Sequence, residues 1–285
     1  MVYQLFTPLL RSQKALDHFR KKRLFTYTRP ALYEALLNNG HYIFTQQKAG
    51  TNYLCNVLAF YNSRLIGTPC NDFDRISEFG VVRGVQKSAT RLRHALDFAQ
   101  TGHPVYFQSH DFIDVPTKHA IVVSRSVLDY AVSSYHFHYV NFSKRRRQKT
   151  VDDALGPIVE NYIRRHKGQR QAVRNAARAT TVRYEALKQD PHTAFSRVIT
   201  DIHGRCDTAA LSAALEDASV KRVTTGEFER TNNEMVKRAG VSLIRSGTIG
   251  EGQEFFSPEQ RNFVFDALAS QDIDPENPFN DGWNQ

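Results

Sequence analysis

Four short β-prone runs, HYIFT (41–45), PVYFQS (104–109), HAIVVS (119–124) and TTVRYE (180–185), constrain the fold of this chain more than any other feature. A strand with one wet face alternates apolar and polar residues. Near-continuous apolar runs are instead expected of strands covered on both faces, as in a parallel sheet. Three of the four lead quickly into helical patterns, over 51–63, 127–140 and 186–203. A further helix is expected over 88–102, where Leu92, Ala95, Leu96 and Ala99 fall at helical spacing and Gly102 supplies a stop. Strand, turn and helix in alternation predict an α/β protein: a P-loop-like, doubly wound central parallel sheet flanked by helices. In such sheets ligands sit at the carboxyl ends of the strands.

The rest of the chain fits one domain over 1–285. The segment 207–285 reads as mostly helical; SPEQRNFVFDALAS starts a helix with a Ser cap, Pro at the first position and an acidic first turn. The tail DIDPENPFNDGWNQ, rich in turn formers, is expected to wrap the surface. With 41% hydrophobic and 24% charged residues and a mean hydropathy of −0.49, the composition is that of a soluble globular protein. Cys55, Cys70 and Cys206 are odd in number, dispersed and lack CxxC spacing, which argues against a disulfide framework and a zinc site and for a reducing, cytoplasmic setting. The apolar run at the N-terminus is too short for a signal sequence. No stretch approaches the roughly 20 apolar residues of a membrane span, so no transmembrane anchor is expected.

Charge narrows the partners. Lys and Arg number 38 against 29 Asp and Glu, a net +9, which favours phosphates, sulfates, nucleic acid or acidic lipid. The segment from Thr45 to Tyr53, TQQKAGTNY, joins the first strand to a helix. Backbone N–H groups of Ala49, Gly50, Thr51 and Asn52 there would point at an anion, aided by the helix dipole. The Walker A order, Gly-Lys-Ser/Thr, is missing because Lys48 precedes Gly50 and Thr51, which argues against an ordinary magnesium NTPase. A second constellation follows the strand at 119–124: Arg125 at its end and Ser133 eight residues on, two turns along a helix, suited to gripping one doubly charged group. A third, IRSGTIGEG (244–252), is a Gly-rich turn with Arg245.

In this order and spacing the segments resemble the sulfotransferase superfamily that uses 3′-phosphoadenosine 5′-phosphosulfate (PAPS), over roughly 40–265. TQQKAGTNYL looks like the family's 5′-phosphosulfate loop, TYPKSGTTWL. VVSRSVLDYAVSSYHF is similar to its 3′-phosphate motif, RNPxDxxVSxYHF. VRYEALKQDP matches hRYEDLxxDP, and IRSGTIGEGQEFFSPEQ the late RKGxxGDWxxxFT element.

The resemblance implies roles residue by residue. Lys48 contacts the 5′-phosphate and the bridging oxygen of the donor, where charge gathers as the S–O bond breaks. Ala49, Gly50, Thr51 and Asn52 supply loop contacts. Tyr53 stands where the family has the Trp that stacks on adenine, implying a smaller stack. Arg125 and Ser133 hold the 3′-phosphate, and Arg245, Ser246 and Gly247 close over it, with Ser246 replacing a Lys. Tyr184 bonds the base. Thr224, Thr225 and Phe228 fall near the adenine element. His110, in YFQSHDF, matches the general base, and Gln108 replaces the Lys two residues before it. The implied reaction is in-line transfer of a sulfuryl group from PAPS to an acceptor hydroxyl or amine, releasing 3′,5′-adenosine bisphosphate (PAP), with no metal expected.

The acceptor is a small molecule, a saccharide or a lipid headgroup; no nucleic acid partner is expected. The basic runs SKRRRQK (143–149) and RRHKGQRQAVRNAAR (164–178) fit attraction of an acidic acceptor or of the donor, or simple solvation. The aromatic run Tyr135, Phe137, Tyr139 and Phe142 fits an acceptor pocket or the core. The family's dimer motif KxxxTVxxxE is not matched by GQEFFSPEQR. Two other readings stay open: a P-loop kinase or NTPase, and a basic polyanion-binding protein without transfer activity.

Overall fold

In the computed structural model, residues 40–68, 70, 73–83, 89–110, 117–141, 150–219, 248–275 and 278–279 are described. Five parallel strands, β1 (Gly40–Thr45), β2 (Val81–Arg83), β3 (Val105–Ser109), β4 (His119–Ser124) and β5 (Ala179–Arg183), form one sheet in the order β2-β3-β1-β4-β5. Tyr42 pairs with Phe107 on one side and with Ala120 on the other, so β1 is central. From β1 the chain crosses to β2 and β3 on one side, then passes back over β1 to β4 and β5 on the other. The carboxyl end of β1 is therefore the topological switch point, where a ligand crevice opens.

Burial explains the sequence pattern. Every residue of β3 and β4 is buried, whereas the edge strand β5 alternates. One face is covered by α1 (Thr51–Leu65), α2 (Ala89–Ala99) and a 3-10 segment, Phe73–Phe79. Leu54, Leu58 and Phe60 of α1 join Ile43, Phe107 and Ile121 in the larger core cluster. Burying side chains of this size contributes about 1.5–3 kcal/mol each. A smaller cluster joins α3 (Val127–Tyr135), the first half of α4 (Val151–Asn175) and the C-terminal helix.

Sequence and structure differ at four element boundaries. Val81–Arg83 is a strand that the pattern did not announce, being only three residues long on an edge. The run 180–185 stops as a strand at Arg183, and Tyr184 opens α5 (Tyr184–Gln189), because the Glu185 carboxylate accepts the N–H of Ser126 at 2.8 Å and draws the chain inward. The expected helix 186–203 is two helices. Asp190 caps α6 (Pro191–His203) by accepting from Thr193 N–H at 3.0 Å, and Pro191 cannot continue the preceding hydrogen-bond ladder. Past Tyr135 the helix widens into a π-helical segment, His136–Asn141, a form that concentrates at functional sites.

Three further helices complete the described fold: α7 (Thr208–Asp217), α8 (Glu251–Phe255) and α9 (Pro258–Ala269). The last starts as its sequence implies, with Ser257 and Gln260 in a reciprocal capping box and Pro258 in the first turn. Gly102 ends the α2 region with φ of 80°.

Candidate active site at the carboxyl edge of the sheet

The loop from Thr45 to Thr51 is shaped by two left-handed residues, Lys48 with φ of 69° and Gly50 with φ of 76°. Lysine is uncommon in this conformation, and the strain fits a site that over-determines its backbone. Gly50 is required on a second ground. A Cβ there would lie 2.5 Å from Cδ2 of Tyr184, so the ring packs directly on the loop. Gly50 precedes α1 and has no side chain with which to cap it, and the first turn of α1 holds no acidic residue. The positive end of the dipole is thus left for a ligand.

Beneath the loop lies a polar network. Thr51 Oγ1 donates to Thr45 Oγ1 at 2.7 Å, and Gln108 Nε2 approaches the same oxygen at 3.3 Å. His110, half-buried, places Nδ1 3.0 Å from the Thr45 carbonyl. This carbonyl, the shortest of three contacts to Nδ1 (Thr45 Oγ1 lies at 3.2 Å and Gln108 Nε2 at 3.4 Å), can only accept and favours the tautomer with the proton on Nδ1 and the lone pair on Nε2. This is the tautomer in which the ring's other nitrogen can take a proton. Lys48 Nζ lies 4.2 Å from the centroid of Phe137, in the π-helical segment, a cation–π contact.

Arg125 sits at the end of β4, 5% exposed. Its Nη1 donates to the Lys48 carbonyl at 3.0 Å and its Nη2 to the Thr248 carbonyl at 3.2 Å, so it ties the anion loop to the late Gly-rich turn. Its guanidinium stacks 4.5 Å from the centroid of Tyr184. Its Nε is buried with no hydrogen-bond partner among the described residues, a donor that an anionic ligand would satisfy. Asp129, one helical turn on, stands 4.0 Å from Nη2 and accepts the N–H groups of Gly250 and Gly252 at 2.8 and 2.9 Å. Ser133 follows on α3, half-buried.

Burial raises the hydroxyl pKa of Tyr184, with proximity to Arg125 pulling the other way. Burial likewise pushes Tyr53 up to about 12. Both hydroxyls therefore stay protonated and able to donate. Tyr53 packs its ring edge-on against Phe195, 5.4 Å between centroids, with Lys188 Nζ 5.8 Å from its own ring.

The structure thus gathers Lys48, Ala49, Gly50, Thr51, Arg125, Tyr184 and His110 around the carboxyl ends of β1, β3 and β4; Asn52 meets Arg83, Tyr53 packs on Phe195, and Ser133 lies farther along α3. Thr224, Thr225, Phe228, Arg245, Ser246 and Gly247 lie outside the described residues, as does the basic run 143–149. Asp129 is a further residue of the site, and its one sign in the sequence is an acidic side chain in the first helical turn after Arg125. Thr45 is another, its hydroxyl and carbonyl both used.

The family model for the sulfotransferase domain matches residues 36–272. Among solved structures the chain is similar to retinol dehydratase in complex with androsterone and the inactive cofactor PAP, at 13% identity and a TM-score of 0.57, covering 89% of this chain and 84% of that one. Retinol dehydratase with retinol and PAP gives a TM-score of 0.56 at 13% identity, covering 89% and 85%. Mouse sulfotransferase SULT7A1 complexed with PAP gives 0.54 at 12% identity, covering 86% and 90%. At these identities the likeness speaks for the fold. No curated protein matches the chain by sequence.

Proposed function

Because the chain belongs to the sulfotransferase domain family, we propose that it transfers the sulfuryl group of PAPS to an acceptor hydroxyl or amine and releases PAP. The observation that carries the donor assignment is Arg125. A guanidinium is buried beside the anion loop with Nε unpartnered among the described residues, where a 3′-phosphate would complete its hydrogen bonding. Solved neighbours crystallised with PAP support the same donor.

In this reading the N–H groups from Ala49 to Asn52 hold the 5′-phosphate. Lys48 leaves the Phe137 ring to stabilise charge on the bridging oxygen as the S–O bond breaks. His110 Nε2 removes the acceptor proton while Nδ1–H keeps its bond to the Thr45 carbonyl, which holds the ring in place. The sulfur passes in line from the bridging oxygen to the acceptor oxygen, and the electron pair of the broken bond stays on the 5′-phosphate. Ser133 with Arg245, Ser246 and Gly247 completes the 3′-phosphate grip, and Tyr53 and Tyr184 border the base.

Phe137 beside Lys48, together with the rings of Tyr135, His136 and Phe255 that contact one another, favours a small acceptor with an apolar ring or chain next to its hydroxyl. The retinol and androsterone of the retinol dehydratase complexes are compounds of that kind.

Calorimetric titration with PAP, 5′-AMP and ATP tests the donor site. PAP is expected to bind at least about 10-fold more tightly than 5′-AMP, a gap of about 1.4 kcal/mol, and Ser133→Ala to narrow it. Equal affinity for PAP and 5′-AMP, or preference for ATP with magnesium, would overturn the reading.

A further inference from the structure

Three side chains on α4, Tyr162, Arg165 and Gln169, follow a spacing of i, i+3 and i+7 and so share one helix face. All three donate to main-chain carbonyls at the carboxyl edge of the sheet. Tyr162 O–H reaches the carbonyl of Arg125, just past β4, at 3.1 Å. Gln169 Nε2 reaches the carbonyls of Phe44 on β1 and Val123 on β4, at 3.2 and 2.8 Å. Arg165 Nη1 donates to the carbonyl of His110, just past β3. One helix thus bridges the ends of the three central strands at the point where they deliver the donor loop, the phosphate arginine and the base.

Arg165 is braced in turn. Its Nε donates to Asn161 Oδ1 at 3.3 Å, and Asn161 Nδ2 donates to Tyr130 O–H at 2.6 Å. Tyr130 lies fully buried on α3, the helix that carries Ser133. His110 is consequently held at two points: the ring through Nδ1 to Thr45, and the main chain through Arg165 to α4. Loss of the second hold frees the peptide that sets where Nε2 points, and a misplacement of about 1 Å can cost on the order of 100-fold in rate.

We propose that Arg165 is a positioning residue for the sulfuryl transfer, acting by fixing the peptide of His110, with Tyr162 and Gln169 of the same face setting the spacing of the strand ends. The proposal rests on the reading of His110 as the base. It differs from a role for Arg165 in attracting an acidic acceptor, because its guanidinium is committed to the His110 carbonyl and Asn161.

The test compares wild type, Arg165→Ala and Arg165→Lys in two ways. One is transfer from PAPS to p-nitrophenol, with PAP affinity and thermal midpoint measured alongside. The other is the nitrogen-15 long-range spectrum of the histidine rings, with His110 assigned through His110→Gln. In Arg165→Ala, kcat is expected to fall about 10- to 100-fold with PAP affinity within about 2-fold of wild type. The single Nδ1–H tautomer of His110 should give way to an averaged one, and Arg165→Lys should recover part of both effects. An unchanged His110 spectrum in Arg165→Ala overturns the proposal whatever the turnover. So does a loss of kcat accompanied by an equal loss of PAP affinity. A wild type that binds no PAP would instead refute the function, and the spectrum would still decide the role of Arg165.

Discussion

Asp129 and Gly252, 123 positions apart, are joined by a 2.9 Å hydrogen bond from the glycine N–H to the carboxylate. With the companion bond from Gly250, this carboxylate docks the segment immediately after Arg245–Gly247 onto α3. Arg125 pulls on the same segment through the Thr248 carbonyl. Arg125, just past β4, and Asp129, in the first turn of α3, thus hold the late loop from both sides.

That docking leaves no space at Gly252. A Cβ would fall 2.5 Å from main-chain and side-chain carbons of Leu128 and 2.8 Å from Asp129 N, atoms that cannot swing away. Gly252→Ala is expected to displace the loop and weaken PAP binding by about 1–3 kcal/mol, the cost of leaving the buried Asp129 carboxylate unsatisfied. Calorimetry with PAP reads this directly; an affinity equal to wild type would mean that the loop does not contribute to the site.

Gly50 makes the complementary prediction on the opposite wall. With φ of 76° and the Tyr184 ring where its Cβ would be, Gly50→Ala strains the backbone and pushes the ring. A drop of about 10-fold or more in PAP affinity is expected, about 1.4 kcal/mol. Retention of wild-type affinity would show that the loop reshapes freely.

His110→Ala should separate chemistry from binding. Loss of a general base costs about 100- to 10,000-fold in kcat, while PAP affinity should stay near wild type because the ring contacts Thr45, beneath the loop. Turnover within a few-fold of wild type would remove His110 from the mechanism.

At the opposite end of the sheet a buried chain makes the fold sensitive to acid. His119 Nε2 lies 2.9 Å from Thr180 Oγ1, which donates to Asp201 Oδ2 at 2.8 Å. The threonine hydrogen is thus committed, so His119 donates through Nε2 and accepts at Nδ1 from His41, 3.0 Å away. Burial, aided by nearby positive charge, lowers His41 to about 3 and His119 to about 4, and burial lowers His203 to about 4. In the unfolded chain these rings protonate near 6.5. Between those values the unfolded state binds more protons, so stability rises with pH and is lost as pH falls from about 6.5 toward 4. Denaturant midpoints at pH 7.5 and 5 should differ in that direction, and His119→Gln should reduce the difference. A midpoint independent of pH would show that the chain does not couple to folding.

The parts of the site that could be read in advance are those encoded within a few residues. Lys48, Gly50 and Thr51 form a strand–turn–helix whose chemistry is local, and Arg125 with Ser133 is a helical spacing. The proposed role of His110 was legible only through resemblance, since the carbonyl its ring meets comes from Thr45, on the neighbouring strand. Arg165 was read as part of a basic cluster, because composition shows its charge and not the carbonyl it reaches. The β-prone run 180–185 implies a strand at Tyr184, whereas that residue opens a helix and meets Arg125 and Gly50 through its ring.

The sequence by itself determined the doubly wound sheet, because strands buried on both faces must be nearly all apolar and the turns between them carry their own glycines and caps. It also determined the turn between β1 and α1, whose left-handed Gly50 is a local requirement. Only the tertiary structure decided how the pieces share their polar groups. Asp129 takes up the late glycines, Arg125 clips two loops together, and one face of α4 holds the strand ends. Such partners are dozens to more than a hundred residues apart, and burial forces each donor to find an acceptor that only the packed arrangement brings within reach.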